Sequence, residues 1–337
     1  MKYGRVWGGL MLGFLVILWS GIQRGEVSGS LDVSHKTVSG FSSFWAVVPI
    51  ESESLAVISQ SEITTTVEIS PTVQDGVDTF ICPFLRGRSV EGAFDSAAMA
   101  ERVRYVVHLP PCYEFYPESA FPVLYLFHGW PFDEWHWPNL GIAALADDWI
   151  SRGIVGPFII VMPGVGSEGR YVHSSGGPYS FEGMVIDELV PLIERDYRAW
   201  QEPAGRAVGG ISRGGVWAVS TALLHQEVFG ILGAHSPALA LNRPLPQYDP
   251  FLLVQREPPN LRIYLDAGDA DWARSQTSRF RDVLLAQGVE VVYQVHTGGH
   301  VDALWRGGVP DYLDFYTATW PPTYDDLPSC TVCLGEM

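Results

Sequence analysis

From about residue 81 the chain alternates short, apolar, β-rich runs with runs whose apolar residues recur at helical spacing. Val123–Phe127 (VLYLF) and residues 158–162 (FIIVM) are continuous apolar runs, as in strands covered on both faces, and Pro163 closes the second. Residues 102–109, 206–211, 230–234, 262–267 and 290–296 read as further strands. Between them, residues 182–197, 214–226 and 274–287 gather apolar side chains on one face, and Gly288 gives the last a C-terminal stop. Strand followed by helix, repeated, constrains such a chain to a mostly parallel sheet with helices on both faces, an α/β architecture. Chemistry in these sheets collects at the C-terminal ends of the strands.

The regions flanking this core have a different texture. Lys2 and Arg5 precede an apolar run from Val6 to Trp19, the layout of an export signal. Residues 1–25 are therefore expected to be a signal peptide or an uncleaved N-terminal anchor. The latter is the only membrane contact anticipated, and the protein is expected to be secreted or extracytoplasmic. Residues 26–80 are rich in serine and read as a linker or weakly ordered segment, with one candidate strand over 63–69. The domain is expected over 81–322, followed by a tail over 323–337. Four cysteines in an exported chain suit two disulfides, and Cys82–Cys112 with Cys330–Cys333 is the favoured pairing of the three that four cysteines allow. The formal charge of −17 repels phosphate backbones and argues against a nucleic-acid partner.

Gly210, Ser212 and Gly214 form a G-x-S-x-G pattern within VGGISRGG. An apolar strand ends at Ile211 and a helical pattern begins just after Ser212, the strand–turn–helix context of a nucleophile elbow. Ser212 is the candidate nucleophile. A serine hydroxyl needs a base, and a neutral imidazole acts as one near pH 7. Four histidines follow Ser212. His225 falls within the next helix, His235 precedes the acid-bearing strand, and His296 lies in strand register. His300 follows Thr297-Gly298-Gly299 in a loop beyond the last strand and is the favoured base, with His296 second. The orienting acid is expected after the strand ending at Ala267. Asp271 is favoured and Asp269 remains the alternative, although either could simply cap the following helix.

The loop His128-Gly129-Trp130-Pro131 opens directly after VLYLF. The backbone N–H groups of Trp130 and Arg213 are the natural pair of oxyanion donors, and His128 itself reads as structural. Trp135 in the same loop, with Tyr171, His173 and Tyr179 in the long loop after Pro163, are candidate substrate contacts. Asp133, Glu134 and His136 lack the regular spacing of metal ligands, and no metal or organic cofactor is implied.

The pieces RVRYVVHLPPCY, PVLYLFHGW, FIIVMP, DELVPLIERDYR, VGGISRGG, IYLDAGDADW and GGHVDALWRGGVPDYLDF together resemble the esterase D-like branch of the α/β-hydrolases. That branch includes feruloyl and acetylxylan esterases, S-formylglutathione hydrolases, enterochelin esterases and antigen 85 mycolyltransferases. The resemblance runs from about 100 to 316. It implies an α/β-hydrolase fold with Ser212 as nucleophile, Asp271 as acid, His300 as base and Trp130 and Arg213 as oxyanion donors. One departure is Arg213, where many members carry a hydrophobic residue. The leading expectation is an exported serine carboxylesterase acting on a small-molecule or carbohydrate ester. An acyltransferase of the same fold and a non-enzymatic cell-surface protein are the alternatives.

Overall fold

A computed structural model describes residues 82–165 and 176–330. The export signal, the serine-rich segment with its candidate strand, Tyr171, His173 and Cys333 lie outside the described residues. The strands are β1 (Arg88–Ser96), β2 (Glu101–Leu109), β3 (Val123–Phe127), β4 (Ile159–Gly164), β5 (Arg206–Ile211), β6 (Ile231–His235), β7 (Arg262–Gly268) and β8 (Val291–His296). They form one sheet in the order β1-β2-β4-β3-β5-β6-β7-β8. The β1–β2 and β2–β4 pairs are antiparallel, and every pair from β4 to β8 is parallel.

The helices are α1 (His136–Leu140), α2 (Ile142–Ser151), α3 (Phe181–Met184), α4 (Val190–Asp196), α5 (Arg213–Leu224), α6 (Pro250–Arg256), α7 (Arg274–Ala286) and α8 (Asp302–Thr317). A π-helical turn over Val185–Leu189 joins α3 to α4. The continuous apolar run of β3 is explained by what covers it. Val123, Tyr125 and Phe127 pack with Phe181, Val185 and Trp217 on one face. Leu124 and Leu126 pack with Trp137, Ile142, Trp305 and Tyr316 on the other. Successive side chains point to opposite faces, so a strand inside two helical layers has no polar position.

Three details differ from the pattern read in the sequence. Pro163 does not end β4, which continues to Gly164, with Pro163 opposite Tyr105 of β2. Helix α8 lacks a clear helical signal, because Gly307, Gly308 and Pro310 interrupt its sequence. It is nevertheless held, since Leu304, Trp305, Tyr312 and Tyr316 bury one face against the sheet. Edge strand β1, with mostly exposed or half-buried positions, also lacks a strong signal.

Tyr316 is fully buried, and its hydroxyl lies 2.9 Å from Nε2 of His235. It fits only because the neighbouring strand positions Gly209 and Gly233 have no side chain: a Cβ on either would collide with the phenol oxygen. A disulfide joins Cys82 to Cys112 with Cα atoms 5.8 Å apart, tying the segment before β1 to the end of β2. Among the described residues no helix is long and apolar enough to cross a membrane. Gly233→Ala is expected to lower stability by about 1–3 kcal/mol through overpacking against Tyr316, measured as a shift in the urea midpoint at constant slope.

Candidate functional site

Strand β5 runs into α5 through one residue, Ser212, whose φ of 54° and ψ of −109° lie where side-chain-bearing residues rarely sit. Such a conformation costs about 1–3 kcal/mol and persists only when its surroundings hold it. Here the Ser212 N–H donates to the His235 carbonyl at 2.9 Å, and the Ser212 carbonyl accepts from Ala238 at 2.9 Å and Val216 at 3.2 Å. Gly210 and Gly214 let the turn close. A Cβ on Gly210 would strike the Gly214 backbone, and one on Gly214 would strike the carbonyls of Phe127 and His128.

The Ser212 Oγ lies 2.8 Å from Nε2 of His300. The Nδ1 of the same ring lies 2.9 and 3.1 Å from the two carboxylate oxygens of Asp271. The structure therefore brings Asp271 and Ser212, 29 and 88 positions from His300 in the chain, onto one imidazole. Asp269, the alternative acid, acts elsewhere. Its carboxylate accepts the Gly298 N–H at 3.0 Å and fixes the loop that carries His300. His296, the alternative base, turns to the buried Asp266, 3.2 Å from its carboxylate.

Burial by itself would raise the Asp271 pKa, but hydrogen bonds from His300, from the Ser236 hydroxyl and from the Ala273 N–H outweigh it and hold the carboxyl below its usual range. The Ala273 bond is 2.7 Å. Ser236 is itself held by the Trp305 indole N–H at 3.2 Å. The His300 ring sits between two tryptophans, tilted against Trp272 at 4.4 Å and edge-on to Trp305 at 5.0 Å. A hydroxyl beside an imidazole whose other nitrogen faces an ionised carboxylate can be deprotonated as it attacks a carbonyl.

Trp130 follows β3, and Arg213 is the first residue of α5. Among the described residues neither backbone N–H has an acceptor, as the expected role of oxyanion donors requires. The loop that bears Trp130 is anchored by His136. Its Nδ1 accepts the Gly129 N–H at 3.1 Å, and its Nε2 lies 3.2 Å from Asp302, two residues beyond His300. The His136 ring also stacks on Phe132 at 3.9 Å. In the sequence His136 stands out only beside Asp133 and Glu134, in a group without metal-ligand spacing. Ser236 and Trp305 carry no motif, since their partners are set by chain crossings that periodicity does not encode. Trp135 is half-buried against the core cluster around Trp137, while Tyr179 is 84% exposed. Among the described residues no group of His, Cys, Asp and Glu is placed to hold a metal.

Solved structures share this arrangement of sheet and helices. A ferulic acid esterase matches with a TM-score of 0.63 at 22% identity, over 70% of this chain and 99% of that one. An S-formylglutathione hydrolase of Staphylococcus aureus matches with a TM-score of 0.59 at 14% identity, over 69% and 99%. The fold is that of the α/β-hydrolases. Residues 96–315 match the family model named Esterase, described as "Putative esterase". The chain belongs to that family. Among curated relatives, an endo-1,4-beta-xylanase/feruloyl esterase of Xylanibacter ruminicola is 37% identical over 120 residues, 34% of this chain and 16% of that protein. The Mycobacterium tuberculosis esterase Rv1288 is 37% identical over 127 residues, 37% of this chain and 27% of that protein. The matched part is thus a minor fraction of the length of either relative.

His128 is buried beside the site, its Nδ1–H directed at the Gly129 carbonyl at 2.9 Å and its Nε2 accepting the Val165 N–H at 3.3 Å. Burial pulls its pKa down to about 4. Below about pH 6.5 the unfolded chain takes up a proton here that the folded chain refuses, so this contribution is present above pH 6.5 and is lost as pH falls towards 4. His128→Gln is expected to flatten the stability loss over that window, by up to about 3 kcal/mol, as read from urea denaturation at a series of pH values.

Proposed function

We propose that this chain is an exported serine carboxylesterase that cleaves an ester through an acyl-enzyme, with Ser212 as nucleophile, His300 as general base and acid, and Asp271 as the group that orients and charge-balances His300. The observation that carries this reading is the unbroken contact from Ser212 Oγ through His300 to Asp271, with separations of 2.8 and 2.9 Å. In the proposed cycle, Ser212 attacks the carbonyl as His300 takes its proton. His300 then returns the proton to the departing alcohol, and a water activated in the same way releases the acid. The N–H groups of Trp130 and Arg213 receive the oxyanion, with the N-terminal end of α5 adding its partial positive charge.

The substrate proposed is an acylated carbohydrate or a related small ester. The names of the xylanase/feruloyl esterase relative and of the ferulic acid esterase neighbour support this class. Export is supported by the Cys82–Cys112 disulfide together with the cationic, apolar N-terminus.

Ser212→Ala and His300→Ala are each expected to lower kcat on a short 4-nitrophenyl ester by about ten-thousand-fold or more, with little change in thermal midpoint. Full activity in either variant would sink the assignment. His136→Phe keeps the ring stack but removes the acceptor for Gly129. It is expected to lower kcat by about tenfold or more with KM nearly unchanged, because a mispositioned donor is felt in the transition state. Steady-state kinetics on the same ester separate the two parameters.

A further inference from the structure

Arg213 contributes more than a backbone donor. Its guanidinium sits at the first position of a 12-residue helix, where the macrodipole disfavours a cation. It is half-buried, and burial lowers its pKa from the ordinary arginine value. Several arginines elsewhere face a carboxylate: Arg88, Arg104 and Arg206 meet Glu114, Glu134 and Glu194. Among the described residues no carboxylate does this for Arg213. A partly desolvated cation without a counter-charge costs stability, a cost that a bound anion would offset.

Its location indicates what would offset that cost. Arg213 directly follows Ser212, and side chains in the first turn of a helix lean towards the N-terminal end, here the end that holds the Ser212 hydroxyl. Further cations line a cavity that reaches Leu239. Arg243 and Arg279 line one cavity with Leu239, Gln276 and Asp249, one residue beyond the Ala238 N–H that bonds Ser212. Neither arginine forms an ion pair among the described residues: Arg243 donates to the carbonyls of Ala240 and Asn242, and Arg279 lies over the Phe251 ring. The Asp249 carboxylate in the same cavity accepts the Phe251 N–H through one oxygen at 2.9 Å and ion-pairs with neither arginine among the described residues.

We infer that Arg213 selects esters bearing a carboxylate close to the scissile bond, an inference that rests on Ser212 being the nucleophile. Such a carboxylate would belong either to the acyl group, as in a half-ester of a dicarboxylic acid, or to the alcohol, as in an acidic sugar. In a chain whose formal charge is −17, long-range repulsion of anions is screened beyond about 10 Å in ordinary salt, and the local cation decides.

The test uses two matched pairs. Mono-4-nitrophenyl adipate against 4-nitrophenyl hexanoate probes the acyl side, and 4-acetoxybenzoate against 4-methylphenyl acetate probes the alcohol side. The readout is the ratio of kcat/KM for the anionic ester to that for its neutral partner, compared between proteins so that intrinsic reactivity cancels. In Arg213→Met and Arg213→Gln the ratio is expected to fall by about tenfold or more for one pair, with Arg213→Lys retaining most of it. The pair that responds identifies the side that carries the charge. A ratio unchanged within about threefold in both pairs would overturn the inference, as would an equal fall for anionic and neutral esters, which would put the guanidinium on the oxyanion. The unmodified protein gives an independent check: a preference above about tenfold for the neutral ester in both pairs overturns the inference whatever the variants do. If no ester of the four is hydrolysed, the esterase reading fails and this inference with it. Hydrolysis of the neutral esters with a flat ratio removes the inference alone.

Discussion

The backbone of Ser212 is the constraint on which the rest of the site depends. One residue must turn the chain from β5 into α5 with φ at 54°, and the turn is held by three backbone hydrogen bonds. Two of these come from the end of β6 and the segment after it, so the elbow is completed only when β6 is docked beside β5. The same turn sets the hydroxyl 2.8 Å from the His300 ring, and among the described residues the Arg213 N–H has no acceptor. The strained turn thus presents the proposed nucleophile to its proposed base, with a proposed oxyanion donor next to it.

The end of β6 and the start of α8 serve several partners at once. His235 offers its carbonyl to Ser212 and its ring to Tyr316. Ser236, with a φ of 48°, bonds the Asp266 backbone through its N–H, and its hydroxyl supports Asp271. Asp266 is fully buried. Burial would raise its pKa, but His235, His296 and Tyr312 hold it down at about 2. A buried carboxylate is costly unless paired, and here the pairing partners also fix the strand ends that carry His235 and His296. Helix α8 closes the arrangement, with Trp305 against His300 and Asp302 against His136. The proposed base and the proposed oxyanion loop are thereby tied to the same helix start.

Membership of the esterase family places this chain among proteins whose matched solved structures keep the sheet at 14–22% identity. That tolerance follows from the layering. Apolar residues of suitable size satisfy the two faces of β3, whereas Gly210 and Gly214 at the elbow admit no side chain. The departure proposed to govern substrate choice falls at Arg213, where the elbow itself uses only the peptide group.

Local chemistry made much of this protein legible in its sequence. The uninterrupted apolar runs required strands buried on both faces, their alternation with helical patterns required a largely parallel sheet, and glycines around one serine marked a tight strand-to-helix turn. Other features were beyond reach. Helix α8 carries two adjacent glycines and a proline, so its propensity is poor and only packing against the sheet makes it a helix. The separate roles of Asp269 and Asp271, two residues apart, were undecided by spacing. They diverge because one carboxylate meets the Gly298 N–H and the other meets the His300 ring. The links from Ser236 and Trp305 to Asp271, and from His136 to Gly129 and Asp302, depend on which strand ends lie side by side. Short-range order along the chain specifies elements, but directed contacts between residues far apart in the chain exist only once the sheet order has brought those ends together.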